Sequence, residues 1–391
     1  MRLASAPVVS PRRISLSNTV LWLFVVVFAL LLHGPHADAQ ANTPRAAGQG
    51  TGAGAGAGGG TGAGAGAGVG AAAGAAAAGG MGGMNDGSDI VLKRMDDLMW
   101  YEKIGDIADI DKSEIGGAPN PHVKNKKAPG ATNPLIIHVY TFIPKKLDRT
   151  KPQPLIVYVH QGVHQSLDTT IDAHMVREIL EQGYTIVSVD YRGSTGYGRG
   201  YYEDIDYGGL EVDDVYRGMQ WMLDKYKFLD AKRVGIVGWS HGGLITLMNI
   251  FAHPHDFAVA YAGVPVSDLV ARMGYETEAY REIYSAPYHL GESVHDDIEE
   301  YRKRSPVNHA KELDTPLLIH TNTNDEDVNF LEVEHLIQAL KFENKKFDYK
   351  IYDNAPGGHY FNRIDTPLAL ESRHDIYMFL AKYLHPENPP K

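Results

Sequence analysis

One serine lies in a sequence pattern that can turn its hydroxyl into a nucleophile. Gly238-Trp-Ser-His-Gly242 matches G-x-S-x-G, the pattern of a sharp turn between a strand and a helix. The preceding residues 234–237 are apolar and strand-like, and the following residues 244–251 are typical of a buried helix. The two glycines fit positions where a Cβ would clash across the turn. The sequence therefore predicts that Ser240 is presented at the carboxyl edge of a sheet.

A serine hydroxyl becomes a useful nucleophile only when a base takes its proton and an acid orients that base. On an α/β-hydrolase scaffold these groups follow in the order serine, acid, histidine. The loop after the predicted strand 316–320 carries Asp325 and Asp327, either of which could be the acid. The loop after the last predicted strand carries His359, which we predict to be the base.

Acyl-transfer chemistry also needs donors for the negative charge that develops on the carbonyl oxygen. The backbone N–H of His241, directly after the serine, is one predicted donor. The loop 160–164 leaves a neighbouring strand, and its Gln161 and Gly162 are predicted to supply the second. His160 and His164 have the i, i+4 spacing of a metal pair on a helix, but the glycine between them disfavours a helix and no third ligand is near. We expect no metal and no cofactor.

The order of the predicted elements indicates the fold class. Short apolar strands alternate with amphipathic helices, which favours an α/β-hydrolase fold with a mainly parallel central sheet and helices on both faces. A segment at 267–305 that is rich in Tyr and Glu is predicted to be a helical lid insertion, and Tyr275, Tyr280, Tyr284 and Tyr288 could line a substrate pocket. The predicted strands are 135–143, 154–160, 184–190, 234–237, 257–264, 316–320 and 347–352, and the predicted helices are 168–182, 210–225, 244–251, 331–342 and 368–384.

The composition of the chain excludes several classes of function. The chain has 391 residues, of which 43% are hydrophobic and 22% charged, so it can build a large core. Its formal net charge of −11 argues against a nucleic-acid partner. Because it has no cysteine, disulfides and thiolate chemistry are excluded.

The N-terminal part predicts the compartment and the domain boundaries. Arg2, Arg12 and Arg13 precede a 13-residue apolar run at 20–32, and Ala37-Asp-Ala39 offers a cleavage site. We therefore expect a signal peptide at 1–39 and an exported protein, periplasmic or secreted, with no stable membrane anchor after cleavage. An uncleaved anchor is the alternative. Residues 40–88 are predicted to be a Gly/Ala-rich flexible linker, 89–133 an N-terminal arm, and 134–391 the catalytic domain.

Three motifs together resemble the catalytic domain of the prolyl oligopeptidase family of serine peptidases. They are Asp190-Tyr-Arg-Gly-Ser-Thr-Gly-Tyr-Gly-Arg199, Gly208-Gly-Leu-Glu-Val-Asp-Asp214 and Gly238-Trp-Ser-His-Gly-Gly243. His160-Gln-Gly-Val163 is similar to the HGGP-like oxyanion loop of that family. Asp325-Glu-Asp-Val328 is similar to its D-x-x-V acid loop, and Gly358-His359 to its histidine motif. The resemblance covers roughly residues 134–384.

The resemblance implies a Ser240–Asp325–His359 triad and prefers Asp325 to Asp327 through the D-x-x-V spacing. The sequence departs from the family in three places near the site. Gln161 replaces a usual glycine, the stretch from His320 to Asp325 is one residue longer, and an arginine after the acid is absent. Upstream, residues 89–133 are enough for only about one propeller blade, so we expect a catalytic domain without the β-propeller of many family members.

These observations predict an exported serine peptidase that cleaves peptide bonds through an acyl-enzyme. A carboxylic-ester hydrolase with the same triad and a catalytically inactive, tethered binding module are the alternatives. The expected partner is a peptide or a small acyl substrate, and the sequence sets no oligomeric state.

Overall fold

The computed structural model describes residues 87–391. The predicted signal peptide and the Gly/Ala-rich segment up to residue 86 lie outside these residues. An eight-stranded sheet forms the centre of the described part, in the spatial order β1-β2-β4-β3-β5-β6-β7-β8. The strands are β1 (Ala108–Gly116), β2 (Ile136–Pro144), β3 (Gln153–Val159), β4 (Thr185–Asp190), β5 (Leu229–Trp239), β6 (Val259–Gly263), β7 (Leu317–Asn322) and β8 (Asp348–Tyr352).

The six strands β3 to β8 are parallel to one another. Strand β2 is antiparallel to both of its neighbours, β1 and β4. Every residue of β3 is buried, as expected for a central strand covered on both faces. The side chains of β3 alternate between two apolar clusters, with Val157 in one and Ile156 in the other. The predicted α/β-hydrolase fold is thus confirmed.

Helices cover both faces of this sheet. They are α1 (Ser88–Ile104), α2 (Ala173–Glu181), α3 (Arg199–Tyr202), α4 (Leu210–Lys225), α5 (His241–Ala252), α6 (Leu269–Tyr275), α7 (Glu278–Ser285), α8 (Ile298–Lys303), α9 (Phe330–Phe342) and α10 (Pro367–Leu384), with 3₁₀ turns at Pro306–Glu312 and Gly358–Tyr360. The cluster that contains Val157 packs against α4, α5 and α9, and the other packs against α1, α2 and α10. The helices α6 to α8 lie in the predicted lid. No helix among residues 87–391 is both long enough and apolar enough to cross a membrane.

The segment before residue 134 contributes more to the sheet than its polar sequence suggests. Strand β1 pairs with β2 over its whole length, so the sheet begins at Ala108 and not at the first strand predicted from sequence. Because β1 is an edge strand, much of its surface faces solvent and its sequence lacks an apolar pattern. Helix α1 adds Trp100, which is fully buried against Phe142 with ring centroids 5.0 Å apart.

A buried ion pair links two of the sequence motifs. The Arg192 guanidinium donates from Nε and Nη2 to the two carboxylate oxygens of Asp214, at 2.7 and 2.9 Å. Both side chains are fully buried, so removal of either one would leave an uncompensated charge in the core. This pair fixes the loop after β4 to the first turns of α4.

Candidate active site

The backbone at Ser240 has the strain expected of a nucleophile turn. Strand β5 ends at Trp239, helix α5 begins at His241, and Ser240 between them has φ 56° and ψ −123°. A non-glycine residue with positive φ is uncommon and persists only where the surroundings fix it. The N–H of Ser240 donates to the carbonyl of Gly263 on the adjacent strand at 3.0 Å, and this bond helps to hold the turn.

The glycines of the motif allow close approaches that a side chain would block. A Cβ on Gly242 would lie 2.6 Å from the carbonyl oxygen of His160 and 2.7 Å from that of Val159. A Cβ on Gly238 would collide with the backbone of Gly242 itself. The elbow therefore packs directly against the end of β3, which places the loop 160–164 beside the nucleophile, as the sequence analysis expects.

The two other predicted triad residues meet. Asp325 follows β7, His359 follows β8, and Nδ1 of His359 lies 2.9 Å from both carboxylate oxygens of Asp325. Both side chains are buried. Because a carboxylate only accepts, Nδ1 carries the proton and Nε2 is left with a lone pair for a substrate-side proton. The backbone N–H groups of Asp327 and Val328 also donate to Asp325, at 2.9 and 2.8 Å, and they fix its carboxylate.

Asp327 occupies a different position from Asp325. Its Oδ2 lies 3.8 Å from Nε2 of His359, on the opposite side of the ring from Asp325. Its Oδ1 accepts from Arg272 of the lid at 2.7 Å. Burial raises the pKa of the Asp327 carboxyl, but attraction to the imidazolium form of His359 and to Arg272, together with the hydrogen bond from Arg272, outweighs that effect and leaves the pKa below its usual value. Asp325 is therefore the partner of Nδ1, and Asp327 is the link between the site and the lid.

Two residues that the sequence analysis did not identify hold the backbone of His359. Glu326 accepts from the N–H of His359 at 3.1 Å, and Arg363 donates to its carbonyl at 2.6 Å. Glu326 is the residue that directly follows the acid, in the stretch where some family members have an arginine. Arg363 carries no motif of its own, and its role becomes visible only when the turn after β8 is folded.

The predicted oxyanion donors are free to bind a ligand. The N–H groups of Gln161 and Gly162 make no hydrogen bond within residues 87–391. The N–H of His241 belongs to the first residue of α5 and so has no intrahelical acceptor. Gly162 has φ 61°, a conformation that favours glycine. These unpaired donors lie on the elbow and on the loop packed against it, where a carbonyl oxygen could accept from them.

The lid reaches the elbow through aromatic rings and a histidine pair. Tyr284 packs on Tyr207 and Tyr207 packs on His241, each with ring centroids 4.5 Å apart. Nε2 of His164 lies 2.9 Å from Nε2 of His289 in the lid, and Nδ1 of His164 faces the carbonyl of Gly193 at 2.8 Å. Tyr275 and Tyr280 instead bind Arg272 through their hydroxyls. Within residues 87–391 no three His, Cys, Asp or Glu side chains are grouped to hold a metal ion.

Buried neutral histidines should make the fold sensitive to acid. Burial lowers the pKa of His160 to about 4 and that of His320 to about 3, whereas an unfolded histidine titrates near 6.5. As the pH falls from 7.5 to 5.5, the unfolded chain gains protons at these positions and the folded chain does not. We expect the free energy of unfolding to fall by about 1 kcal/mol for each such residue.

Denaturant titrations at pH 7.5 and 5.5 measure this effect. The His320→Gln variant should be less stable at pH 7.5 but should lose less stability on acidification than the wild type. His255→Gln, at an exposed position, is the matched control and should keep the wild-type slope. A His320→Gln variant that loses as much stability on acidification as the wild type would contradict the prediction.

Comparison with known proteins identifies the family of the chain. The model of the prolyl oligopeptidase family matches residues 172–387, which is more than half of the chain. The chain therefore belongs to the prolyl oligopeptidase family, a family of serine peptidases, and the resemblance found in the sequence is confirmed.

Several curated proteins are similar to the chain. An uncharacterized peptidase of Bacillus subtilis is 27% identical over 235 residues, which are 60% of this chain and 35% of the relative. Human dipeptidyl peptidase 8 is 29% identical over 231 residues, 57% of this chain and 25% of the relative. A rice acylamino-acid-releasing enzyme is 29% identical over 256 residues, 62% of this chain and 32% of the relative. The chain thus spans about a third of the length of these relatives or less.

Solved structures share the fold. A puromycin hydrolase aligns with a TM-score of 0.60 at 20% identity, over 72% of this chain and 40% of that chain. An acylaminoacyl peptidase of Pyrococcus horikoshii aligns with a TM-score of 0.59 at 20% identity, over 73% of this chain and 42% of that chain. At this identity the alignments establish the fold alone.

Proposed function

We propose that this protein is an exported serine peptidase that cleaves peptide bonds through a covalent acyl-enzyme on Ser240. The observation that carries the proposal is the contact of His359 Nδ1 with both oxygens of Asp325, at 2.9 Å, in a chain whose Ser240 occupies a strained strand-to-helix turn. A buried, doubly anchored carboxylate of this kind orients an imidazole for proton transfer. Export with removal of residues 1–39 rests on the N-terminal apolar run and its cleavage motif, and a retained Met1 in the exported protein would contradict the cleavage.

The reaction begins when Oγ of Ser240 attacks the substrate carbonyl carbon and its proton passes to Nε2 of His359. Asp325 stabilises the imidazolium that forms. The carbonyl electron pair moves onto oxygen, where the N–H groups of His241 and of the loop 161–162 bind the negative charge. When the intermediate collapses, His359 gives its proton to the leaving amine. A water molecule, activated by the same imidazole, then attacks the ester on Ser240 and releases the acid.

Peptides are the proposed substrates because the relatives are peptidases by name, including dipeptidyl peptidase and acylamino-acid-releasing enzymes. The same triad hydrolyses activated esters, so the two substrate classes must be compared directly. We expect the full-length protein to turn over both peptide amides and p-nitrophenyl esters. Measured kcat/KM values for the two series test this: ester turnover with negligible amide cleavage would make the protein an esterase. Absence of both activities in folded protein would favour a binding module.

A further inference from the structure

The side chain of Gln161 is an unexplained polar group beside the candidate nucleophile. Gln161 is only 5% exposed, and neither its Oε1 nor its Nε2 has a hydrogen-bond partner within residues 87–391. An amide that is withdrawn from water without partners is unfavourable for folding, and native structures rarely keep one without a reason. The family resemblance makes this residue more unusual, because a glycine is common at its position.

The loop that carries Gln161 spans the two halves of the candidate site. At its start, the carbonyl of His160 lies against Gly242 of the serine turn. At its end, the side chain of Gln165 folds over Gly162 and lies near Tyr360, the neighbour of His359. Gln161 therefore belongs to a loop that packs against the nucleophile turn and reaches the neighbour of His359, and its own N–H group is unpaired within residues 87–391.

Gln161 is as buried as the candidate reacting residues. Ser240 is 7% exposed and His359 3%, values close to that of Gln161. All three side chains are thus largely withdrawn from solvent. Where water is excluded, a hydrogen bond to a developing negative charge is stronger than the same bond in water.

We propose that the side-chain amide of Gln161 is a direct substrate contact, in which Nε2 donates a hydrogen bond to the carbonyl oxygen of the bond being cleaved. This inference rests on the proposed function and adds a third donor to the backbone N–H groups of residues 161–162 and 241. The amide is left without a partner in the free protein because its partner is the oxyanion. The side-chain amide of Gln161 thus lacks a hydrogen bond only in the free protein, and the bound substrate supplies it.

Substitution of Gln161 by leucine tests the proposal with two opposed readouts. Gln161→Leu keeps much of the side-chain volume and removes the unpartnered amide, so the midpoint of thermal unfolding should stay the same or rise. The same change should lower kcat for peptide hydrolysis by on the order of a hundredfold, the effect of losing one oxyanion donor. A residue that only supports the fold would not raise stability and lower kcat together.

Two further variants sharpen the result. Gln161→Glu keeps the shape but places a carboxylate where the donor was, so it should be less active than Gln161→Leu. Gln182→Leu is the matched control, because Gln182 is also a buried glutamine with an unpartnered Oε1 but lies at the end of α2, before β4 and away from the carboxyl edge of the sheet. Its kcat should equal that of the wild type.

The possible outcomes separate this proposal from the proposed function. Wild-type kcat in Gln161→Leu, or activity in Gln161→Glu at or above that of Gln161→Leu, would overturn the role of the amide while the serine mechanism stands. A loss of kcat that is accompanied by a lower unfolding midpoint in both variants would also overturn it and would make Gln161 a structural residue. An inactive wild-type protein would instead overturn the proposed function itself.

Discussion

Replacement of Ser240 by alanine is expected to lower kcat for peptide hydrolysis by roughly 10⁴- to 10⁶-fold, because no other group can form the acyl-enzyme. The residual rate would come from the backbone donors and from substrate binding alone. The fold should be unaffected, since Oγ of Ser240 makes no hydrogen bond within residues 87–391 and the turn is held by backbone contacts. Steady-state kinetics and thermal unfolding of the purified variant measure the two effects.

The Ser240→Ala variant is informative only if a loss of activity is distinguished from a loss of folded protein. A Ser240→Ala protein with wild-type unfolding and without turnover assigns the loss to the missing hydroxyl. If the variant retained more than about a tenth of the wild-type kcat, far above the residual rate of a disabled triad, Ser240 could not be the nucleophile and the role of the elbow would be wrong.

Replacement of the acid gives the second large effect and decides between two neighbouring aspartates. Asp325→Asn should lower kcat by roughly 10⁴-fold, because an amide can face Nδ1 of His359 with its NH₂ group and so stabilise the wrong tautomer. Asp327→Asn is the matched control two residues away. It keeps an oxygen for Arg272 and does not contact Nδ1, so its kcat should fall by no more than about tenfold, an ordinary effect beside that of a triad member.

The order of the two effects is the informative result. Measurements of kcat for both variants with the same peptide should rank Asp325→Asn far below Asp327→Asn. The reverse order would mean that Asp327, and not Asp325, supports the imidazole, and that the contact of Asp325 with Nδ1 does not persist during turnover.

Much of this arrangement is readable from the sequence because it depends on local patterns. The turn at Ser240 needs glycines at fixed positions, and the parallel strands carry apolar runs that end at the loops bearing Asp325 and His359. The position of these loops at one edge follows from the parallel topology. The fold class and the family are therefore confirmed, whereas the catalytic roles of the three residues stay predictions until the variants are measured.

The features that sequence reasoning missed are long-range. Strand β1 is polar because it is an edge strand, so its periodicity does not distinguish it from a loop. Lys93 of α1 is buried and lies 3.5 Å from the carboxylate of Asp190, a contact between residues almost a hundred positions apart. The bonds that hold His359 through Glu326 and Arg363 likewise depend on loops that meet only in the folded chain. No local pattern encodes such pairs.

The most direct test of the account is the location of a covalent adduct. A fluorophosphonate reacts with a serine only when its hydroxyl is activated, and mass spectrometry of the digested protein identifies the modified residue. If His359 activates Ser240, we expect one phosphonyl group per chain. It should be carried by the peptide that contains Ser240 and be absent in the His359→Ala variant. An adduct on any other residue, or full labelling of Ser240 when His359 is missing, would contradict it.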